Sequence, residues 1–402
     1  MLLAAEHDET SSEKIARHSD LLSRQLQSLR EKMYPPEAQK KLKTFSSREV
    51  AGLLGVAESS LRQLSLNGEA VIPERLDNGR RIYTLPQINE LRRYLAEKRP
   101  ADALRLDPRR RHGDKMQVLA VANFKGGSAK TTTTVHLAHY LGLQGLRVLA
   151  IDLDPQASLS AMFGYQPEFD VDENQTLYAA IRYDDDERVP LSHVIRKTYF
   201  DGLDLVPGNL ELMEYEHETP QAIAQGLSRG DGMFFRRMAT VLKEVEDDYD
   251  VVLIDAPPQL GYLTLGALYA ATGIVITVHP AMLDVSSMNQ FLSMTSELLA
   301  VIEEAGGSLS HDFVRYLLTR HTPHDVPQVN VAALLRGLFG EDVLAASIVE
   351  TTAIANAGLE KKSLYEVERG NMTRDTLNRA LESVDAANAE IFQMLKQVWG
   401  RP

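Results

Sequence analysis

Six short apolar segments, all after residue 115, restrict the fold of this chain more than any other feature. They are nearly continuous in apolar residues, and stretches with the spacing of amphipathic helices separate them. The six segments are residues 116–123, 147–154, 203–208, 249–257, 273–280 and 313–320. Buried strands that alternate with helices are typical of a parallel sheet covered on both faces. We therefore predict an α/β fold with a parallel sheet and helices on both faces.

Length and composition exclude several classes of protein. A chain of 402 residues is longer than the usual single core, so we expect two domains or one large domain with appendages. It contains no cysteine, which excludes disulfides, thiolate metal sites and iron–sulfur clusters. We predict no secretion signal from the first residues, and no apolar run reaches the ~18 residues that a membrane span needs. We expect a cytoplasmic protein that does not bind membranes.

The charge is unevenly distributed along the chain. The net charge is −13, yet residues 1–114 contain 21 Lys and Arg against 17 Asp and Glu. A basic front on an acidic body indicates that any contact with a polyanion is made in part by the front.

Residues 1–36 are predicted to form an N-terminal dimerisation helix. Apolar residues recur there in steps of four and three, and Pro35-Pro36 ends the pattern. The seam consists of Ile15, Leu22, Leu26, Leu29 and Met33. The alternative is a helix that packs on its own chain.

Residues 40–100 are predicted to form a winged helix-turn-helix DNA-binding domain. FSSREVAGLLGVAESSLRQL indicates a helix, a tight turn at Gly55 and a second helix, and Asn78-Gly79 indicates a hairpin. A further helix follows, and the whole order resembles the MerR-type winged helix-turn-helix. The polar start of the second helix and the hairpin supply the candidate DNA contacts. These are Ser59, Ser60, Arg62, Arg80 and Arg81. A linker at 101–115 and a domain at 116–402 complete the predicted organisation.

NFKGGSAKTTT, residues 123–133, follows the first apolar segment and precedes a helix. A loop between a strand and a helix directs free amides and the positive end of the helix dipole at an anion. Lys130 is placed to bind the β- and γ-phosphates, Thr131 to bind Mg²⁺ and Thr132 to reach the α-phosphate. Two other strands end in Asp152, Asp154 and Asp255, which is typical of a magnesium site.

K-G-G-x-x-K-T-[ST], D-x-D-P-Q and I-D-A-P-P together resemble the ParA/MinD family of deviant Walker A ATPases, a group of P-loop NTPases, over about residues 116–400. The resemblance implies ATP or ADP and Mg²⁺ as cofactors. It also implies that Lys125 crosses the interface of a dimer to the partner's nucleotide, that Asp154 positions the attacking water, and that Thr131, Asp152 and Asp255 surround the metal. The implied nucleotide-binding set is Lys125, Gly126, Gly127, Ser128, Ala129, Lys130, Thr131 and Thr132. Ala129 departs from the family, where glycine is usual.

Within the family, the N-terminal segments resemble the long plasmid-partition ParA proteins, in particular the RepA proteins of RepABC-type replicons. This implies a homodimeric ATPase that binds nucleoid DNA non-specifically, responds to a ParB/RepB-type centromere-binding protein and represses its own operon. Lys361 and Lys362 are candidates for the non-specific DNA contact. The alternatives are a nucleotide-regulated repressor without a segregation role and a MinD-like positioning ATPase. Acidic residues in the C-terminal segment favour a helix that packs on the core over one that binds membrane.

Overall fold

The computed structural model describes residues 10–33, 40–123, 125–368 and 373–401. Its contacts divide the chain into two compact units, residues 1–41 and 42–402. Helix α1 (Ser11–Met33) belongs to the first unit, and Ile15 and Leu22 of the predicted seam are exposed. The side chains of the other three seam residues and the two prolines after them lie outside the described residues. The helix is confirmed, whereas its role in dimerisation stays a prediction.

The front region, residues 42–106, begins with two helices joined by a tight turn. Its elements are β1 (Phe45–Ser46), α2 (Ser47–Leu54), α3 (Glu58–Asn67), β2 (Glu74–Arg75), β3 (Arg81–Tyr83), α4 (Leu85–Lys98) and α5 (Ala103–Leu106). Ser46 caps α2 by exchanging hydrogen bonds with Glu49, and Gly55 ends it with φ 61°, which glycine adopts without strain. The strands form an antiparallel sheet in the order β1-β3-β2.

The body, residues 107–401, is built on one sheet, which has eight strands in the part of the chain that the structure describes. These are β4 (Gln117–Ala122), β5 (Val148–Asp152), β6 (Arg196–Lys197), β7 (Leu203–Val206), β8 (Val251–Asp255), β9 (Gly273–Val278), β10 (Phe313–His321) and β11 (Val343–Val349). Their order is β11-β10-β9-β4-β8-β5-β7-β6, and only the pair of β6 and β7 is antiparallel. The six predicted strands are confirmed. The two edge strands were not predicted, because β6 is short and β11 is only partly buried.

Helices connect the strands and cover both faces of the sheet. They are α6 (Lys130–Leu143), α7 (Ser158–Met162), α8 (Pro167–Asp170), α9 (Leu177–Ile181), α10 (Leu191–Val194), α11 (Leu212–Gln225), α12 (Phe234–Leu242), α13 (Tyr262–Ala270), α14 (Met282–Glu304), α15 (Val326–Phe339), α16 (Thr352–Leu359) and α17 (Arg374–Val398). Short 3-10 turns occur at 100–102, 230–232, 243–245, 340–342 and 364–366.

Strand β8 shows how the sheet is buried on two sides. Val251 and Leu253 belong to an apolar cluster that includes α6 and α17, whereas Val252 and Ile254 belong to a second cluster that includes α12 and α13. Successive side chains of a strand point to opposite faces, so a strand buried on both sides is continuously apolar. Helix α17 contributes several fully buried side chains, which confirms that the C-terminal helix packs on the core.

The front region and the body share a continuous apolar cluster in which residues of α2 and α4 meet residues of α6. Asn89 of α4 donates to the carboxylate of Asp201 at 2.8 Å. The segment predicted as a linker contains α5, and the end of the chain holds it. The Trp399 indole donates to the carbonyl of Lys115 at 2.9 Å, and Arg401 donates to the carbonyl of Pro108 at 2.6 Å. Residues 42–401 therefore form one compact unit.

Candidate nucleotide-binding site

The loop between β4 and α6 turns sharply so that α6 begins at Lys130. Gly127 and Ala129 have positive φ angles of 78° and 67°. A left-handed conformation costs a residue with a Cβ atom about 1 kcal/mol or more. Ala129 stands where the family usually has glycine, and its backbone adopts a conformation that favours glycine. Phe124 lies outside the described residues.

Lys130 and Thr131 lie where the loop becomes a helix. Lys130 is buried, and its ammonium donates to the carbonyl of Lys125 at 3.3 Å. Burial lowers the pKa of Lys130, while Asp255 and Asp154 counteract the shift. The Thr131 hydroxyl donates to Asp255 Oδ2 at 2.6 Å. A cation and a hydroxyl thus stand at the helix N-terminus, where an anion is already favoured.

Two buried carboxylates lie side by side at the ends of β5 and β8, where Asp152 and Asp255 are in register. Burial raises the pKa of Asp152 to about 7 and that of Asp255 to about 8. Asp152 accepts hydrogen bonds from the hydroxyl and amide of Ser160 at 2.7 and 2.8 Å, and from the amide of Asp154 at 3.2 Å. Asp152 therefore holds the loop that carries Asp154, whereas Asp255 contacts the helix residue Thr131.

These oxygen atoms fit a magnesium ion that is shared with a phosphate chain. Mg²⁺ prefers oxygen ligands and usually takes only one or two carboxylates from the protein, with water and phosphate completing its shell. Among the described residues, no group of three or more His, Asp or Glu side chains could hold a metal ion by itself. Thr131 and Asp255 supply a hydroxyl and a carboxylate at contact distance, so they would hold the ion together with the phosphates.

A cavity of about 460 Å³ adjoins the loop. Its size is that of a typical small-molecule site. Its wall includes the loop residues Gly126, Gly127, Ala129, Lys130, Thr131 and Thr132, with Asp154, Ser158 and Met162 and with Ile354, Gly358, Lys361 and Lys362. The cavity therefore brings together most of the nucleotide-binding set and the residue predicted to position the attacking water. Ser128, between two of these loop residues, is buried and does not line the cavity.

Lys125 lies beside the loop and is held by its own chain. Its amide donates to Asn123 Oδ1 at 3.1 Å, and its ammonium forms an ion pair with Asp284 near the start of α14. Asp284 also contacts His279 Nδ1 at 2.7 Å. The side chain of Lys125 remains 44% exposed, so this pair forms at the surface. Its predicted reach to a partner subunit stays a prediction.

Lys361 and Lys362 belong to the wall of the cavity, a placement that the DNA-binding prediction did not anticipate. His136 holds the segment that follows them. Its Nε2 accepts from the amide of Leu364 at 3.1 Å, and its Nδ1 contacts the carbonyl of Thr132 at 2.7 Å. This pairing requires a neutral imidazole with its proton on Nδ1. His136 therefore connects the start of α6 to the residues that follow Lys361 and Lys362.

The candidate DNA contacts of the front region lie on α3 and at the hairpin. Ser59, Arg62 and Arg80 are exposed, and Ser60 is half-buried. Arg81 is also half-buried, and its Nε donates to the hydroxyl of Ser65 at 3.2 Å. Arg81 therefore ties the hairpin to α3, and its contact with DNA stays a prediction.

Three polar residues that support the loop were not predicted. Asn123 donates to the carbonyl of Thr277 at 2.5 Å, the Thr277 hydroxyl donates to Ser128 Oγ at 3.1 Å, and the Thr319 hydroxyl donates to the Ser128 carbonyl at 3.0 Å. Both threonines lie near the carboxyl ends of their strands. Ligands bind at these strand ends in parallel sheets, so a threonine there was the available signal.

A family model described as an AAA domain matches residues 116–305. A relative from Rhizobium rhizogenes that is named as a replication protein A is 52% identical over 96% of this chain and 95% of its own length. A replication protein A of Sinorhizobium fredii is 48% identical over 96% of this chain and 94% of its own length. Protein SopA of Escherichia coli strain K12 is 29% identical over 90% of this chain and 92% of its own length.

Solved structures share the fold. One described as a partition protein aligns with a TM-score of 0.66 at 19% identity, covering 96% of this chain and 99% of that chain. The ATP complex of a McdA variant from Cyanothece aligns with a TM-score of 0.55 at 20% identity, covering 72% of this chain and 98% of that chain. At these identities the likeness concerns the fold alone.

Proposed function

Because the chain belongs to the ParA/MinD family of deviant Walker A ATPases, together with replication protein A and SopA, we propose that it is a plasmid-partition ATPase. The observation that carries the proposal is the contact between Thr131 and Asp255 at 2.6 Å. It lies at the N-terminus of α6, beside Lys130 and a cavity that Asp154 also lines. This arrangement supports ATP or ADP with Mg²⁺ as the ligand.

The proposed mechanism divides three tasks among the residues of the site. Lys130 and the amides at the start of α6 bind the phosphates. Thr131 and Asp255 would hold the magnesium ion, with the predicted acid Asp152 in register beside Asp255, and the ion would neutralise phosphate charge. Asp154 orients the attacking water. Its Oδ1 accepts from the amide of Gln156 at 3.0 Å, which leaves Oδ2 to accept from a water molecule.

We propose that hydrolysis requires a homodimer in which Lys125 reaches the partner's nucleotide. In the single chain its ammonium pairs with Asp284, so dimer formation has to exchange one anionic partner for another. A cation supplied by a second subunit stabilises the charge of the transition state in other phosphoryl-transfer enzymes. Helix α1 provides a second contact between subunits through its seam, independently of nucleotide.

The front region supports a second activity, the repression of the protein's own operon. Its order of helix, turn, helix, hairpin and helix supports a winged helix-turn-helix, with α3 entering the major groove and Arg80 contacting the backbone. Non-specific binding to nucleoid DNA in the ATP-bound dimer, and stimulation by a ParB-type protein at the centromere, complete the proposal. The proposed location is the bacterial cytoplasm, on the nucleoid. No helix in the described part of the chain is long and apolar enough to cross a bilayer.

An ATPase assay with and without DNA and a centromere-binding partner tests the proposal. Partition predicts slow basal turnover that rises when both are added. Turnover that stays unchanged, while full-length protein still binds its operator, would favour a nucleotide-regulated repressor without a segregation role. ATP-dependent binding to anionic vesicles would favour a MinD-like positioning ATPase.

Light scattering on the nucleotide-free protein tests the role of α1. A dimer at micromolar concentration that becomes a monomer after removal of residues 1–36 is expected from the seam. A monomeric full-length protein would mean that α1 packs only on its own chain.

A further inference from the structure

Two consecutive residues of β10 hold two consecutive carbonyl groups of the phosphate loop. The Thr319 hydroxyl donates to the Ser128 carbonyl at 3.0 Å, and the Arg320 guanidinium donates to the Gly127 carbonyl at 3.3 Å. Thr319 is fully buried, whereas Arg320 is exposed and also pairs with Glu350 at 3.1 Å. The contacts join parts of the chain that lie 191 and 193 residues apart.

The direction of these carbonyls fixes the direction of the amides that follow them. In a planar trans peptide, the C=O of one residue and the N–H of the next point in opposite directions. A Ser128 carbonyl that points to β10 therefore turns the Ala129 amide away from β10. In the same way, the contact at Gly127 turns the Ser128 amide away. Successive amides that point to one side form an anion-binding nest.

The backbone of β10 is distorted at Arg320, the second of the two residues that contact the loop. Arg320 has a φ angle of 51°, and the pairing of β10 with β11 shifts register between Leu318 and His321. In a regular strand, neighbouring side chains point to opposite faces, so two consecutive residues could not reach the same loop. A left-handed residue other than glycine costs of order 1–3 kcal/mol and persists mainly where it serves a function.

We propose that Thr319 and Arg320 are positioning residues: they hold the carbonyls of Ser128 and Gly127 so that the loop presents the Ala129 amide to the phosphates of a nucleoside di- or triphosphate. They do not touch the ligand, and they act by holding the loop carbonyls on the opposite side. The inference rests on the proposed nucleotide site, but it does not depend on partition, on DNA binding or on dimerisation.

Titration calorimetry of Mg·ADP against the full chain tests the buried contact. Thr319→Val keeps the shape of the side chain and removes the hydroxyl, so the affinity for ADP is expected to fall about tenfold. Thr219→Val is the matched control, because Thr219 of α11 is equally buried and also donates to a backbone carbonyl, that of Tyr215 at 2.6 Å, but it does not line the cavity. We expect the control to bind ADP within about twofold of wild type, with a similar loss of thermal stability. Thr319→Ser restores the hydroxyl and should restore the affinity.

Arg320→Asn tests the exposed contact. Asparagine tolerates a left-handed backbone, so the substitution removes the guanidinium without adding strain. We expect a loss of ADP affinity of about threefold, smaller than that of Thr319→Val, because the contact is solvent-exposed.

The outcomes separate this inference from the proposed function. Equal ADP affinities for the Thr319→Val and Thr219→Val proteins would overturn the positioning role, even if wild type binds ADP tightly. A Thr319→Ser protein that stays weak would overturn it too, because the hydroxyl would then not be the active group. Failure of the wild-type chain to bind ADP or ATP would instead contradict the proposed nucleotide site.

Discussion

Helix α6 has the phosphate loop at its N-terminal end and the front region at its C-terminal end. At the first end, no side chain in the described part of the protein caps the helix, and a cavity adjoins it. At the second end, the guanidinium of Arg92 from α4 donates to the carbonyl of Leu143 at 2.5 Å. The helix dipole favours an anion at the first end and a cation at the second. The protein supplies the cation itself and leaves the place of the anion to a ligand.

Arg92 serves more than one helix. It is buried, and it also donates to the carbonyls of Leu53 and Leu106 at 3.4 and 3.3 Å, in the last turns of α2 and α5. The last carbonyls of a helix have no partner within it, so one guanidinium satisfies three helix ends. Burial lowers the pKa of Arg92 to about 10, which leaves it charged at neutral pH. The comparison shows that the two ends of one helix dipole serve different purposes. The positive end of α6 favours an anionic ligand, and the negative end binds Arg92, which joins the front region to the body.

The largest effect is expected at the ligand end. Lys125→Ala should leave nucleotide binding largely intact and reduce partner-stimulated turnover by about 10³-fold, because the cation that stabilises the transition state is lost. Steady-state phosphate release with DNA and the partner protein measures it. Lys243→Ala is the control. This lysine is exposed and does not line the cavity, so the variant should keep wild-type turnover. Normal stimulated turnover in the Lys125 variant would contradict the role of this lysine.

At the joint, Arg92→Met should lower the free energy of unfolding by about 3 kcal/mol, because buried carbonyls of three helices lose their donor. Urea unfolding followed by circular dichroism measures the change. Arg93→Ala removes the exposed neighbour on α4 and should change the free energy of unfolding by less than about 0.5 kcal/mol. Equal free energies of unfolding for the two variants would contradict the role of Arg92 in joining the front region to the body.

On the exposed surface of the front region the effects should be smaller. Arg80→Ala is expected to weaken binding to all DNA sequences alike and to reduce the slope of log affinity against log salt by about one unit, as for one lost phosphate contact. Fluorescence anisotropy on a labelled operator at several salt concentrations measures the slope. Arg379→Ala is the control. Arg379 is exposed on α17, outside the front region, so this variant should keep the wild-type slope on the operator. An unchanged slope would place the hairpin away from DNA.

The smallest effect concerns the loop itself. Ala129→Gly should raise the free energy of unfolding by about 0.5 kcal/mol, because relief of the left-handed strain exceeds the added entropy of the unfolded chain. Ala300→Gly, at an exposed position inside α14, should lower it by about 1 kcal/mol. Thermal unfolding compares the two. A lower free energy of unfolding for both variants would mean that Ala129 is not strained in the loop.

The sequence by itself determined the features that depend on neighbours along the chain. Six strands, the turns at Gly55 and Asn78-Gly79, and the loop before Lys130 follow from apolar periodicity and from residues that favour one backbone conformation. The contact of Thr131 with Asp255 was also foreseeable, because the carboxyl ends of parallel strands meet at one edge of the sheet.

Only the tertiary structure decided which distant residues meet. Arg92 and Thr319 hold backbone carbonyls that lie 51 and 191 residues away, and no local pattern encodes such a partner. The family resemblance and their charge made Lys361 and Lys362 candidates for DNA contact, and this stays a prediction. Only the structure shows that they also line the cavity beside the loop. A charged side chain looks the same in sequence whether it faces solvent, a ligand or a helix end, because its surroundings are set by the packing of the elements around it.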